Sequence, residues 1–104
     1  MMLSPAEWTP ELITAEVARA VELLAVEPGV RRVWFFGSAA QRKRLDYASD
    51  LDFAVEGLAQ ERYFAVLGRL LTELHCPLDL VRWEEASDAL RAQITRTGTV
   101  IYAG

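Results

Sequence analysis

Only one cysteine occurs in this sequence, Cys76, so no internal disulfide can form, which suits a reducing cytoplasm. No apolar run approaches the roughly 18 residues that a membrane-spanning helix needs. The opening stretch, Met1 to Pro10, lacks the basic-then-apolar order of a secretory leader. Low-complexity tracts, internal repeats and Gly/Pro-rich linkers are missing too. One domain over residues 1–104 is therefore expected, with 1–9 as an N-terminal extension. Basic residues are in deficit, 11 Lys and Arg against 15 Asp and Glu, for a net charge of −4. An acidic chain gains nothing overall from a phosphate backbone, so general nucleic-acid binding is disfavoured. What is plentiful is apolar: 52% of residues are hydrophobic, the profile of a folded soluble chain. A chain of this size buries roughly two-thirds of its unfolded surface, enough for one sound core.

Local patterns divide the chain into alternating helices and strands. Thr9-Pro10-Glu11 reads as a helix start, with Thr as cap, Pro at the first helical position and Glu in the first turn. Ile13, Val17, Ala20, Val21 and Leu24 follow at helical spacing, and Pro28-Gly29 ends the helix. Arg31 to Phe36 is a β-rich run, apolar on both faces towards its end, stopped by Gly37. Ser38 to Arg44 suits a short helix, and Leu45 to Ser49 a loop. In Asp50 to Glu56, Leu51, Phe53 and Val55 point one way and Asp50, Asp52 and Ala54 the other. Gln60 to Leu74 is a second long helix with Tyr63, Leu67, Leu70, Leu71 and Leu74 on its inner stripe. Leu78 to Trp83 is a third strand. Glu84 to Thr97 is a helix carrying Leu90 and Ile94, and Thr99 to Tyr102 is a last strand after Gly98. This order predicts an α/β (α+β) fold, a small sheet covered by helices.

Asp50 and Asp52 carry the main chemical signal. Two residues apart on a strand, their carboxylates leave the same face about 7 Å apart or less. Two unit charges about 4 Å apart interact by about 4 kcal/mol at an effective dielectric of about 20. A core strand keeps such a pair when something positive compensates, and hard divalent cations with oxygen ligands fit best. Asp79 repeats the signal inside the apolar run Pro77-Leu78-Asp79-Leu80-Val81. If its strand lies beside that of Asp52, three carboxylates could hold two Mg²⁺ ions about 3.5–4 Å apart. Asp79 would then be the general base. Gly37-Ser38 follows a buried strand, where glycine permits close approach of a ligand and exposed N–H groups favour an anion.

Each piece has an ordinary reading by itself. The aspartates could sit on a solvated edge strand or in surface ion pairs, and Gly37-Ser38 could be a plain turn. Arg42-Lys43-Arg44 suits a solvated charge run as well as it suits phosphate contact. His75 at a helix end and buried Cys76 are expected to be structural. Trp34 and Trp83 read as packing residues, and Trp8 as packing or partner contact.

Taken together, Phe36-Gly37-Ser38-Ala39-Ala40, then Ser49-Asp50-Leu51-Asp52-Phe53-Ala54-Val55, then Leu78-Asp79-Leu80-Val81 resemble the nucleotidyltransferase fold of the DNA polymerase beta superfamily. The short length resembles its minimal nucleotidyltransferases (MNT), over roughly residues 10–103 including the closing Gly-Thr-Val-Ile-Tyr. The resemblance implies a mixed sheet and Mg²⁺-dependent transfer of a nucleotide. In it Asp50 and Asp52 are metal ligands, Asp79 is the third carboxylate, and Gly37 and Ser38 cradle the triphosphate of ATP. Many minimal members are antitoxins of small helical HEPN toxins, which they silence by adenylating a tyrosine. Homo- or hetero-oligomers are compatible with that role. One departure stands out: the family's basic residue and glycine after Gly-Ser are replaced by Ala39-Ala40-Gln41-Arg42. Either Arg42, Lys43 or Arg44 takes over the phosphate contact, or the chain is a non-catalytic relative that neutralises its partner by binding.

Overall fold

The structure, a computed structural model, describes residues 9–41 and 50–104. Trp8, the cations Arg42, Lys43 and Arg44, and the expected loop from Leu45 to Ser49 lie outside the described residues. Helix α1 runs Pro10–Ala25, with the Thr9 hydroxyl accepting the Leu12 N–H at 3.1 Å and Pro10 opening the helix. It stops before Pro28-Gly29. Its buried stripe is Ile13, Glu16, Ala20, Leu23 and Leu24, so Val17 and Val21 are only half-buried flanks and Glu16 occupies an inward position. Strand β1 (Arg32–Phe36) leads directly into the short helix α2 (Gly37–Gln41). Strand β2 (Leu51–Glu56) follows, then a 3-10 turn at Gln60–Arg62 and helix α3 (Tyr63–Glu73). On α3 the inward residues are Val66 and Leu70, continued by Leu74, whereas Leu71 is exposed. Residues 63, 66, 67, 70 and 74 make one stripe at helical spacing, and Leu71 turns past its edge.

Strand β3 (Leu78–Arg82) is followed by a 3-10 turn at Trp83–Glu85, helix α4 (Asp88–Thr97) and strand β4 (Thr99–Ala103). The helix expected from Glu84 thus starts four residues later. Ser87 caps it, its hydroxyl accepting the Leu90 N–H at 3.1 Å, with Asp88 in the first turn. The sheet is mixed, in the order β3-β2-β1-β4. β1 is antiparallel to both neighbours, and β2 is parallel to β3. A parallel pair requires a crossover, and α3 provides it.

Because β1 and β2 are interior strands, they bury both faces. Val33, Phe35, Leu51, Phe53, Val55 and Leu80 pack under α1 and α3. The reverse face is covered by α4, where Trp34, Phe36 and Ala54 meet Ile94, Leu90, Val81 and Trp83. Trp34 and Trp83 stack with ring centroids 4.5 Å apart, and Arg32 and Arg91 lie over the two rings at 5.4 and 5.0 Å. Both indoles therefore serve packing, as their composition suggested. Among the described residues no helix is long and apolar enough to cross a membrane.

Candidate active site

The parallel register of β2 and β3 sets Asp52 directly opposite Asp79. In the antiparallel register with β1, Asp52 pairs with Phe36, the residue before Gly37. Asp52 therefore lies on the α4 side of the sheet, at the end where β1 passes into α2. Gly37 has φ +84°, and a Cβ built on it would come 2.3 Å from Asp52 Oδ2. The Asp52 carboxylate thus lies against the Gly37 backbone, in space that any side chain would take. Glycine is required there by both backbone conformation and contact. Ser38 follows, exposed, while Ala39 is buried and fastens α2 onto the body of the domain.

The electrostatics of this corner are unfavourable to an unaided carboxylate. Burial raises the Asp52 pKa to about 6, with the negative charges of Asp79 and Asp50 pushing the same way. Asp79 is exposed, and its Oδ1 accepts the Leu80 N–H at 3.0 Å. Tyr63 donates its hydroxyl hydrogen bond to the Leu80 carbonyl. Burial, then Asp79 and Glu85, push its pKa upward. Asp50 is exposed and precedes the first residue of β2. Among the described residues no three His, Cys, Asp or Glu side chains converge closely enough to hold an ion by themselves. The structure brings Asp52 and Asp79 together, with Asp50 within their field. Asp50 is placed less tightly because it lies before the first residue of the ladder.

The donor chemistry still fits Mg²⁺. That ion binds through one or two carboxylates with substrate phosphates completing the shell, rather than in an all-protein cage. The described residues offer such a half-shell: oxygen donors only, two in cross-strand register, in a spot where negative charge is undercompensated. The proposed phosphate contacts Arg42, Lys43 and Arg44 fall outside the described residues. A cavity of about 290 Å³ lies elsewhere, on the α1 side, between α1, α2 and β4. Its lining among the described residues, which includes Ile13, Val17, Phe35, Ala39 and Ile101, carries no titratable group.

One structural carboxylate escaped the reading of the sequence. Glu16 is buried, and one of its oxygens accepts the backbone N–H groups of both His75 and Cys76. Its position was readable: it falls on the stripe Ile13, Glu16, Ala20, Leu23, where an apolar residue is the rule. His75 lies beyond the end of α3, with Nδ1 3.4 Å from Glu16 Oε2. Its structural role is thus a contact with Glu16 rather than with the helix carbonyls. Cys76 is fully buried, and burial together with Glu16 pushes its thiol up to about 12, so it stays protonated.

Comparison with known proteins follows the same lines. The family model described as "Polymerase beta, Nucleotidyltransferase" matches residues 19–104. A chain described as a candidate minimal nucleotidyltransferase superposes with a TM-score of 0.74 at 26% identity, over 89% of this chain and 96% of that one. A chain from the complex of a tri-AMPylated Shewanella oneidensis HEPN toxin with its MNT antitoxin gives 0.70 at 22% identity, over 88% and 72%. A toxin-antitoxin complex with AMP-PNP gives 0.69 at 22%, over 86% and 73%. No curated protein matches the sequence.

Proposed function

We propose that this chain, which belongs to the polymerase beta nucleotidyltransferase family, transfers AMP from ATP to a tyrosine hydroxyl of a helical HEPN-type toxin, acting as its antitoxin. The observation that carries this reading is the seating of Asp52 against Gly37 and across from Asp79. Two carboxylates and a glycine turn, from three different elements, meet at one corner of the sheet. The partner is suggested by the two fold relatives found in toxin-antitoxin complexes, one with an AMPylated toxin and one with AMP-PNP.

In this reading the phenolic oxygen of the acceptor bonds to the α-phosphorus of ATP. The bond from that phosphorus to the oxygen bridging to the β-phosphate breaks, and pyrophosphate leaves. Asp79 takes the phenolic proton. Gly37 and Ser38 hold the phosphates, with Arg42, Lys43 and Arg44 assigned to the same task. Asp50, Asp52 and Asp79 would hold Mg²⁺, which when bound offsets the charge building up on the phosphate oxygens. An enzyme drawing on ATP fits a cytoplasmic location.

A second reading, neutralisation by binding alone, is favoured by one observation: Ala39-Ala40 stand where the family carries a basic residue. One experiment separates the two. The chain is incubated with a HEPN-type toxin, Mg²⁺ and ATP, and the toxin is weighed by mass spectrometry. The catalytic reading expects an added adenylyl group on a tyrosine, lost in Asp52→Ala with the fold intact. Absence of an adduct, with toxin still neutralised by Asp52→Ala, establishes the binding reading instead.

A further inference from the structure

We infer that Glu16 is a positioning residue that holds Asp79 opposite Asp52, by clamping the turn through which the chain enters β3. The inference rests on the nucleotidyltransferase reading and names the device that keeps its site in register. Glu16 is the one charged residue among the described residues that is buried, at 4% exposure. Its Oε1 accepts the Cys76 N–H at 2.9 Å and also the His75 N–H, nearly 60 residues away in sequence. Buried N–H groups in a turn need such an acceptor, since no strand partner serves them.

The link from this clamp to the site is short. Pro77 follows Cys76, and its carbonyl accepts the Leu51 N–H at 3.0 Å, the first bond between the incoming chain and β2. Leu78 then pairs with Leu51, and Asp79 with Asp52. β3 is an edge strand, paired on one side only. A one-residue slip there would turn Asp79 to the opposite face of the sheet. The turn from His75 to Pro77 therefore decides where Asp79 points, and Glu16 is what holds the turn.

General docking of α1 does not account for this arrangement. Arg19 pairs with Glu73 and joins α1 to α3 independently, and Ile13, Ala20 and Leu24 pack into the core. Glu16 reaches past these contacts to the backbone of the turn.

The test uses the full chain with Mn²⁺ as probe, in the presence of ATP, on wild type, Glu16→Gln and Glu16→Ala. Metal affinity is measured by calorimetry, amide hydrogen exchange by NMR and global stability by urea unfolding. Glu16→Ala is expected to weaken Mn²⁺ binding about tenfold, the usual scale for loss of a group that orients a ligand. Exchange should quicken at Cys76, Leu51 and Leu80 while the β1–β4 amides keep their protection. Glu16→Gln keeps an acceptor oxygen without the charge and should fall between the two. If Glu16→Ala does not fold, Glu16→Gln decides: faster exchange at Cys76 must be accompanied by weaker Mn²⁺ binding. Unchanged affinity despite a loosened turn overturns the inference, as does a loss that merely tracks uniform exchange across the sheet. A wild-type chain that binds no Mn²⁺ fails the nucleotidyltransferase reading itself, whereas equal binding by all three chains fails only the role of Glu16.

Discussion

Replacing Asp52 by Asn should stabilise the metal-free protein while removing its affinity for metal. The two side chains have nearly the same size, so the space against Gly37 is filled as before. What changes is the charge. Folding raises this carboxyl from 3.8 to about 6, through burial first and then through Asp79 and Asp50. That difference corresponds to about 3 kcal/mol against the ionised form, or about 2 kcal/mol once solvent screening is allowed for. The folded chain retains a proton that the unfolded chain releases between about pH 4 and 6, so stability falls as pH rises through that window. Above it the cost of ionisation is fully present; below about pH 4 it is absent. Asp52→Asn should therefore gain about 2 kcal/mol near pH 7, or about 10 °C in Tm, and little near pH 4. Urea or thermal unfolding at both pH values, in chelator, measures this. Adding Mg²⁺ with ATP should raise the Tm of wild type and leave the variant unmoved. A variant less stable than wild type near pH 7, or equally stabilised at both pH values, refutes the argument.

Two further substitutions probe the frame of the site. Gly37→Ala places a Cβ 2.3 Å from Asp52 Oδ2 at a φ of +84°. It should cost about 1–2 kcal/mol and, by displacing Asp52, weaken Mn²⁺ binding by about tenfold or more in calorimetry, with circular dichroism unchanged. Trp83→Ala removes the stack on Trp34 and the Arg91 contact on the face opposite α1. It should lower urea stability by about 2–3 kcal/mol; a loss below about 0.5 kcal/mol would mean that α4 packs without it.

The parts of the fold that were legible in the sequence are those written by local chemistry. Thr9-Pro10 starts α1 because a hydroxyl and an imino ring each suit a helix N-terminus, whatever the chain packs against. β2 was legible because Leu51, Phe53 and Val55 alternate with Asp50, Asp52 and Ala54, and the same period put the two aspartates on one face. α4 starts later than Glu84 and Glu85, good helix formers, suggest, because the Ser87 cap and the turn before it outweigh them. Leu71 is exposed despite its apolarity, which alone does not say which edge of a wide stripe meets the sheet. The pairing of Asp52 with Asp79 could be posed only as a condition. Periodicity tells which face a residue takes, but neighbouring strands are chosen by the crossover of α3, which is a tertiary matter. The role of Glu16, unlike its place on the stripe, is hidden in the sequence for the same reason. A carboxylate on an apolar stripe makes sense only once the turn it bonds, almost 60 residues later, is in place.

The balance between the catalytic and binding readings turns on the cost of Asp52. A scaffold used only for contact would be more stable with an amide at this position, by the same 2 kcal/mol or so that separates the ionised from the neutral carboxyl. Destabilising charge kept at a core strand is characteristic of sites where the charge is used, because a bound cation returns the cost when it arrives. On the catalytic reading, Asp52 and Asp79 in register, with Asp50 nearby, would share a cation with substrate phosphates. Metal and nucleotide should therefore bind as one unit, each weakly without the other. That coupling is of use to an enzyme that must take up nucleotide, metal and acceptor together and release pyrophosphate afterwards; a module that only occupies its partner has no use for it.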